Sequence, residues 1–257
     1  MPGAFWIASR ASSALAVGLI SWPATELFLA ITEAKRPRMT LPWPLVASTE
    51  AGPVDPADLT IVPANEATWA DLTAIFGASD SGRCNCQRFK TRGWFWEQAT
   101  DEQRRAQLRE QTNCGDPGAT STTGLVAYLT RDRVPVGWVA VEPRAEYPRL
   151  LGLPTVWKGR PGEDKQDEGV WSVTCFVVRK GYRRRGISYA LAAATVGYAR
   201  DGGARALEGY AMRTRPGREI TWGELHVGAV QVFADAGFAE VSSPSVRRAV
   251  MRVDFSR

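Results

Sequence analysis

Apolar and polar positions fall into blocks whose periods switch between strand-like and helix-like. "LTIVPA", Leu59 to Ala64, is a short apolar run suited to a strand. In "NEATWADLTAIFG" the apolar residues Trp69, Leu72, Ile75 and Phe76 recur at helical spacing. Asn65 is the expected cap and Gly77 the expected end of that helix. "DSGRCNCQRF" reads as a turn-rich loop, and "WFWEQATDEQRRAQLREQT" as a helical stretch whose charged second half is solvated.

From Gly124 the pattern turns to strands: "GLVAYLT" and "VGWVAVEP", joined by the tight "RDRVP". A polar, proline- and glycine-rich insertion runs from Arg144 to about Glu168. "GVWSVTCFVV", Gly169 to Val178, is a long apolar strand, and "RKGYRRRGISYALAAATVGYAR" leads from it into a helix of about four turns. "ARALEGYAM" is a further strand, "RTRPGREI" a loop, "TWGELHVGAVQVFADAG" a helix and "AVMRVDF" a last strand. The predicted order is β, α, α, β, β, β, α, β, α, β, without internal repeat or low-complexity tract.

Composition narrows the class. The chain has 257 residues, 44% apolar and 23% charged, which suits an ordinary soluble globular protein of one large or two small domains. The net charge of +5 tolerates anionic ligands but does not by itself argue for nucleic acid. Four cysteines, Cys84, Cys86, Cys114 and Cys175, are too few for a disulfide scaffold at this length and read as reduced thiols, so the expected location is cytoplasmic. "ASSALAVGLISWPAT", Ala11 to Thr25, is uncharged, but Pro23 interrupts it, Glu26 closes it and no small-residue cleavage site follows. It is short for a membrane span. "MTLPWPLVASTEAGPVDPAD", Met39 to Asp58, has the composition of a linker. Residues 1–57 are therefore expected to form a flexible extension and linker, and 58–257 the functional domain.

The informative stretch is the basic one. Five of the seven residues from Arg179 to Arg185 are basic, and Gly186, Ile187 and Ser188 follow at the start of a helix. A helix N-terminus offers unpaired N–H groups and the positive end of the dipole. Glycine and serine there allow close approach, so the segment suits a phosphate or pyrophosphate. A solvated loop and a nucleic-acid patch are the competing readings, and aromatic interleaving for the latter is limited to Tyr182.

Arg183-x-x-Gly186-x-Ser188 resembles the signature of the GCN5-related N-acetyltransferases, Arg/Gln-x-x-Gly-x-Gly/Ala, with serine in the last place. "VFADAGFAEV", with Phe233, Gly237 and Phe238, resembles the family's second signature. The likeness runs from about Leu59 to Phe255. "CNCQRF", "GLVAYL" and "ITWGELHVG" resemble a bacterial subgroup whose acceptors are mostly unassigned. The resemblance implies an α/β (α+β) fold with a mixed, largely antiparallel central sheet and helices on both faces. It implies acetyl-CoA as acyl donor and direct transfer to an amine. Phe176 and Val178 would pair with the pantetheine arm through their backbone. Arg183, Arg184, Arg185, Gly186, Ile187 and Ser188 would hold the pyrophosphate, and an N–H near Phe176 would meet the oxyanion. The partner expected is a small-molecule or peptide amine. A homodimer is left open, and neither nucleic acid nor stable membrane insertion is expected.

Acyl transfer to an amine needs a base for the ammonium and a proton or hydrogen bond for the thiolate. The family often places a tyrosine where this chain has Phe233, which cannot give a proton, and an asparagine where it has His226, its single histidine. His226 is accordingly a candidate acid or base. Glu208, on the strand facing the expected cleft, is a second candidate base, with Tyr210 beside it as polar wall or acid. Glu224 stands in capping-box spacing with Thr221 and is assigned to structure. Cys84 and Cys86 do not complete a common zinc pattern, so no metal is expected and the pair is placed at the acceptor entrance. Trp94 and Trp96 could wall that entrance. Two other classes remain: a non-catalytic acyl-CoA-binding module, which Phe233 favours, and a nucleic-acid-binding protein.

Overall fold

The computed structural model describes residues 52–77, 80–214 and 220–256; what was expected of residues 1–51, and of the loop at 215–219, lies outside them. In chain order the elements are β1 (Leu59–Pro63), α1 (Trp69–Phe76), α2 (Gly93–Gln98), α3 (Asp101–Thr112), β2 (Leu125–Leu129) and β3 (Val134–Pro143). There follow α4 (Pro148–Leu151), α5 (Pro154–Trp157), β4 (Val170–Val178), α6 (Ile187–Asp201) and β5 (Ala206–Met212). The last four are α7 (Trp222–Leu225), α8 (Val230–Asp235), β6 (Ala239–Ser245) and β7 (Arg248–Asp254).

The strands form one seven-stranded sheet in the order β1-β2-β3-β4-β5-β7-β6. Only β4 and β5 run parallel; the remaining pairs are antiparallel. This is the mixed, largely antiparallel sheet expected. One face packs Val139, Phe176 and Leu207 with Ile187 and Leu191 of α6 and Phe233 of α8. The opposite face packs Trp138, Cys175 and Val177 against Leu72, Ile75 and Leu108 of α1 and α3. Helices therefore cover both faces. The start of α6 lies close on the sheet because Gly137 of β3 has no side chain. A Cβ there would stand 2.8 Å from Ile187 Cγ2 and 3.0 Å from Leu191 Cδ1. Among the described residues, no helix is long and apolar enough to cross a membrane.

Local chemistry moves several predicted boundaries. The cap of α1 is Thr68, not Asn65. The Thr68 hydroxyl accepts from the Asp71 amide, and the Asp71 carboxylate accepts from the Thr68 amide. Asn65 is instead buried, its Nδ2 directed at the carbonyls of Asp116, Pro117 and Ala119. The helical stretch at 94–112 is broken after α2, and Thr100 with Gln103 caps α3 afresh. The helix expected over "TWGELHVGAVQVFADAG" is two short ones, α7 and α8, because Gly228 between them adopts φ +87°. After α8 the chain makes two strands. The polar, mostly exposed β6 has too weak an apolar pattern to be seen as one. The insertion at 144–168 also has a core of its own: Tyr147, Leu150, Val156 and Trp157 pack on Tyr210 and Val250.

Candidate active site

Strands β4 and β5 pair only from Val170/Ala206 to Val173/Gly209 and then part. The segment between α7 and α8 lies across the opening. The Phe176 amide of β4 donates to the His226 carbonyl at 2.6 Å, and the Met212 amide of β5 donates to the Gly228 carbonyl at 2.8 Å. His226 is thus pinned between the diverging strands by its own backbone. The Phe176 amide, expected at the oxyanion, is engaged by that carbonyl. Val178, expected at the pantetheine arm, accepts through its carbonyl from Arg183 Nε at 3.2 Å.

On the α6 side, the turn from β4 into the helix alternates handedness. Arg184 has φ +60° and Gly186 φ +85°. Such a turn aims successive amides into one concavity. Among the described residues, no acceptor takes the amides of Gly186, Ile187 or Ser188. A Cβ on Gly186 would meet nothing nearer than the Val54 carbonyl at 4.0 Å. The arginines around it are partly committed. Arg185 Nε donates to the Gly52 carbonyl at 3.0 Å, and its own carbonyl accepts from the Val54 amide. Arg179 Nη1 donates to the Pro135 carbonyl, and the Arg179 and Arg185 guanidiniums flank the Tyr182 ring. The basic cluster is therefore a built loop rather than a row of free cations.

On the opposite side His226 forms part of the wall of two cavities. The larger, about 370 Å³, is also lined by Arg88, Arg149, Tyr210, Glu224 and Arg248. The smaller, about 210 Å³, is also lined by Cys84, Trp96, Arg88 and Arg104. The imidazole is 8% exposed and stacks on Phe89. Its Nδ1 lies 2.7 Å from the Gly223 carbonyl, which can only accept, so Nδ1 carries the proton. Nε2 is then an acceptor, buried and without a partner. Burial holds the imidazole below its ordinary pKa, with Arg88 and Arg248 acting in the same direction against the Gly223 carbonyl and Cys84. At neutral pH the ring is a free base.

Glu208 sits elsewhere. It is fully buried and does not line either cavity that His226 lines. Its carboxylate accepts from Arg144 at 3.2 Å, Arg252 at 2.9 Å, the Tyr210 hydroxyl at 3.0 Å and both terminal nitrogens of Arg160. Every acceptor position is taken, which corrects the expectation of a base facing the cleft. Tyr210 lines the larger cavity, but its hydroxyl is spent on Glu208 and on Ser172 Oγ at 3.0 Å. Burial, and then the Glu208 charge, push its pKa well above the usual range. Phe233 is buried in an aromatic cluster with Phe176 and Phe238.

Three thiols meet behind His226. Cys84, Cys86 and Cys175 lie in mutual hydrogen-bonding contact, and Trp138 Nε1 donates to Cys86 Sγ at 3.0 Å. Two consecutive left-handed residues, Asn85 at φ +43° and Cys86 at φ +53°, turn the loop so that Cys86 enters the core. Hydrogen bonds from Cys175 and Cys86 hold Cys84 well below the usual thiol pKa. Burial raises Cys86, and its thiol neighbours raise Cys175. Among the described residues no group of His, Cys, Asp or Glu is arranged to hold a metal ion. Trp96, expected as an acceptor wall, already carries the Arg104 guanidinium 5.0 Å above its ring. Sequence reading missed the arginines of the larger cavity. Arg88 lies two residues after Cys86, but Arg149 stands in the supposed polar insertion and Arg248 on the last strand, so nothing in the chain order joins them.

Residues 88–214 match the family model described as the acetyltransferase (GNAT) family. No curated protein matches the sequence. Similar solved structures include a GCN5-related N-acetyltransferase from Kribbella flavida, 22% identical, covering 78% of this chain and 100% of that one, TM-score 0.47. Another is a GNAT-family acetyltransferase from Bacillus anthracis, 10% identical, covering 77% and 95%, TM-score 0.44. A third is a ribosomal-protein-alanine N-acetyltransferase from Brucella melitensis, 16% identical, covering 76% and 99%, TM-score 0.42. By this match, residues 88–214 are a domain of the acetyltransferase (GNAT) family.

Proposed function

We propose that the protein moves an acetyl group from acetyl-CoA directly to the amine of a small molecule or peptide, with His226 as the general base. One juxtaposition carries the reading. An open helix N-terminus at Gly186–Ser188 lies on one side of the parted strands, and an unpartnered imidazole nitrogen lies on the other. The open amides fit the diphosphate of a coenzyme. Acetyl-CoA supplies the activated acyl group.

The chain's own residues do the rest. Gly186, Ile187 and Ser188 bind through their amides, and Arg184 contributes positive charge at the turn. His226, its Nδ1 proton held by Gly223, takes the proton from the acceptor's ammonium on Nε2. The Phe176 amide positions His226 rather than an oxyanion. Glu208 holds Arg144, Arg160 and Arg252 together, a structural role in this reading. The buried Phe233 leaves no phenol for the thiolate, and this favours a second reading, a module that binds acyl-CoA without turnover.

Acetyl-CoA titration by calorimetry, followed by thiol release with an amine panel, tests both. Binding with turnover supports the enzyme, binding without turnover supports the module, and no binding removes both. The cytoplasm is the location proposed with this reading.

A further inference from the structure

We infer that the larger cavity takes an acceptor that carries an anionic oxygen group besides its amine, a carboxylate or a phosphonate, seated on Arg88, Arg149 and Arg248. The inference rests on the acyl-transfer reading for the amine; the anion seat itself stands on the arginines.

Three guanidiniums and one carboxylate, Glu224, line the cavity. Glu224 is already answered. It accepts from the Thr221 amide and hydroxyl at 3.3 and 3.1 Å and from Arg247 Nη2 at 2.6 Å. Among the described residues, none of Arg88, Arg149 and Arg248 has a carboxylate within ion-pair distance. Arg149 Nη1 is moreover a buried donor with no acceptor. A buried N–H without a partner is costly, more so when charged, so a chain that keeps one beside a cavity has left an acceptor to be supplied from outside.

Arg88 and Arg248 also repel one another. Arg248 is half-buried, and its charge is disfavoured by burial and by Arg247 and Arg88, with Glu224 only partly offsetting them. Arg88 and Arg248 likewise disfavour charge on His226. Guanidiniums cannot shed their protons in proteins, so this repulsion persists until an anion enters. A forked donor such as arginine matches the two oxygens of a carboxylate or phosphonate. The same field opposes polyamines and other polycations. It also protects the base, because the cations that hold the anion keep Nε2 unprotonated.

Inorganic phosphate is the first probe, read by thermal melting of the full chain and of the Arg88→Gln/Arg248→Gln double variant. Phosphate bound at the 184–188 turn is common to both proteins and cancels. The wild type is expected to gain at least about 2 °C more than the variant at saturating phosphate. Arg248→Lys, which keeps the charge, should retain part of that gain. Equal gains in wild type and double variant overturn the inference. The double variant in phosphate-free buffer should melt no lower than the wild type, since repulsion is relieved; a clear loss of stability would show the arginines holding the fold instead.

Thiol release then compares α-amino acids with their amides and aminoalkylphosphonates with their methyl diesters. The acid should have a KM at least about tenfold below that of its neutral partner, and Arg248→Gln should shrink that ratio toward one. The carboxylate and phosphonate series separate the two anion types. Neutral amines turned over as well as their acids, with the ratio unmoved in Arg248→Gln, overturn the anion seat while acyl transfer stands. A phosphate gain lost in the double variant, with no amine turned over, upholds the seat while acyl transfer falls.

Discussion

The amide of Phe176 donates to the carbonyl of His226 at 2.6 Å, where β4 and β5 have ceased to pair. The bond ties His226, the proposed base, to the strand along which an acyl-CoA is expected to lie, and it leaves Nε2, the nitrogen that Gly223 does not hold, without a partner. His226→Gln preserves this backbone bond and removes the base. It should lower kcat by roughly 10²- to 10⁴-fold with little change in acetyl-CoA affinity. Turnover per folded molecule equal to wild type would return His226 to packing.

The same residue sets a pH dependence. Burial lowers the imidazole pKa from 6.5, and Arg88, Arg248 and Cys84 are the charged or titratable groups that face it. A base at His226 would act when neutral, so the acidic limb of kcat should lie below about pH 6.5 and vanish in His226→Gln. The sign for stability follows. The folded ring binds its proton more weakly than the unfolded one, so this group's contribution is intact above pH 6.5 and is lost as the pH falls toward the lowered value. A limb centred above 7 would contradict the burial.

Glu208→Gln separates structure from catalysis. The carboxylate is buried among Arg144, Arg160 and Arg252, and Arg144 is itself fully buried. Removing one partner from a buried ion cluster costs about 3–5 kcal/mol. Urea denaturation should show a loss of that order, with kcat per folded molecule retained. Full stability with lost turnover would restore Glu208 as a base.

How far the site was legible follows from what each residue depends on. The strand–turn–helix around Gly186 is local: an apolar strand, a glycine and an alanine-rich helix lie within one stretch, and its fold could be read from that stretch alone. His226 stood out as the single histidine, but its seat between the parted strands depends on the distant Phe176 and could not be read. Glu208 was misread because alternation along β5 gives a side chain's face but not what meets it there. Its partners come from residue 144, from residue 160 and from β7, all far off in sequence. The arginine-lined cavity was invisible for the same reason. The break at Gly228 was lost in a pattern of apolar residues that a continuous helix would also satisfy.

Thiol reactivity should divide the four cysteines. Cys84 is largely buried but reaches the smaller cavity, and it is held well below the ordinary thiol pKa by hydrogen bonds from Cys175 and Cys86. Cys86 and Cys175 are buried, with raised pKa values. The thiolate is the reacting form. Native iodoacetamide labelling at pH 7 should mark Cys84 first, leave Cys86 and Cys175 unmodified and reach Cys114 later, as read by peptide mass spectrometry. Cys114 outrunning Cys84 would refute the hydrogen-bonded cluster.

Gly186 tests the coenzyme loop. At φ +85° an alanine is strained by about 1–2 kcal/mol, yet its Cβ would meet no protein atom nearer than 4.0 Å. The methyl would stand next in the chain to Ile187 and Ser188, whose amides are the proposed diphosphate donors. Gly186→Ala should therefore cost about 1–2 kcal/mol of stability and weaken acetyl-CoA binding by at least about tenfold. Gly186→Glu, which adds a negative charge at the phosphate position, should abolish binding. Calorimetry on folded protein separates the two effects. Affinity unchanged in Gly186→Glu would mean that the amides at the head of α6 hold no diphosphate, and the assignment of the whole turn would go with it.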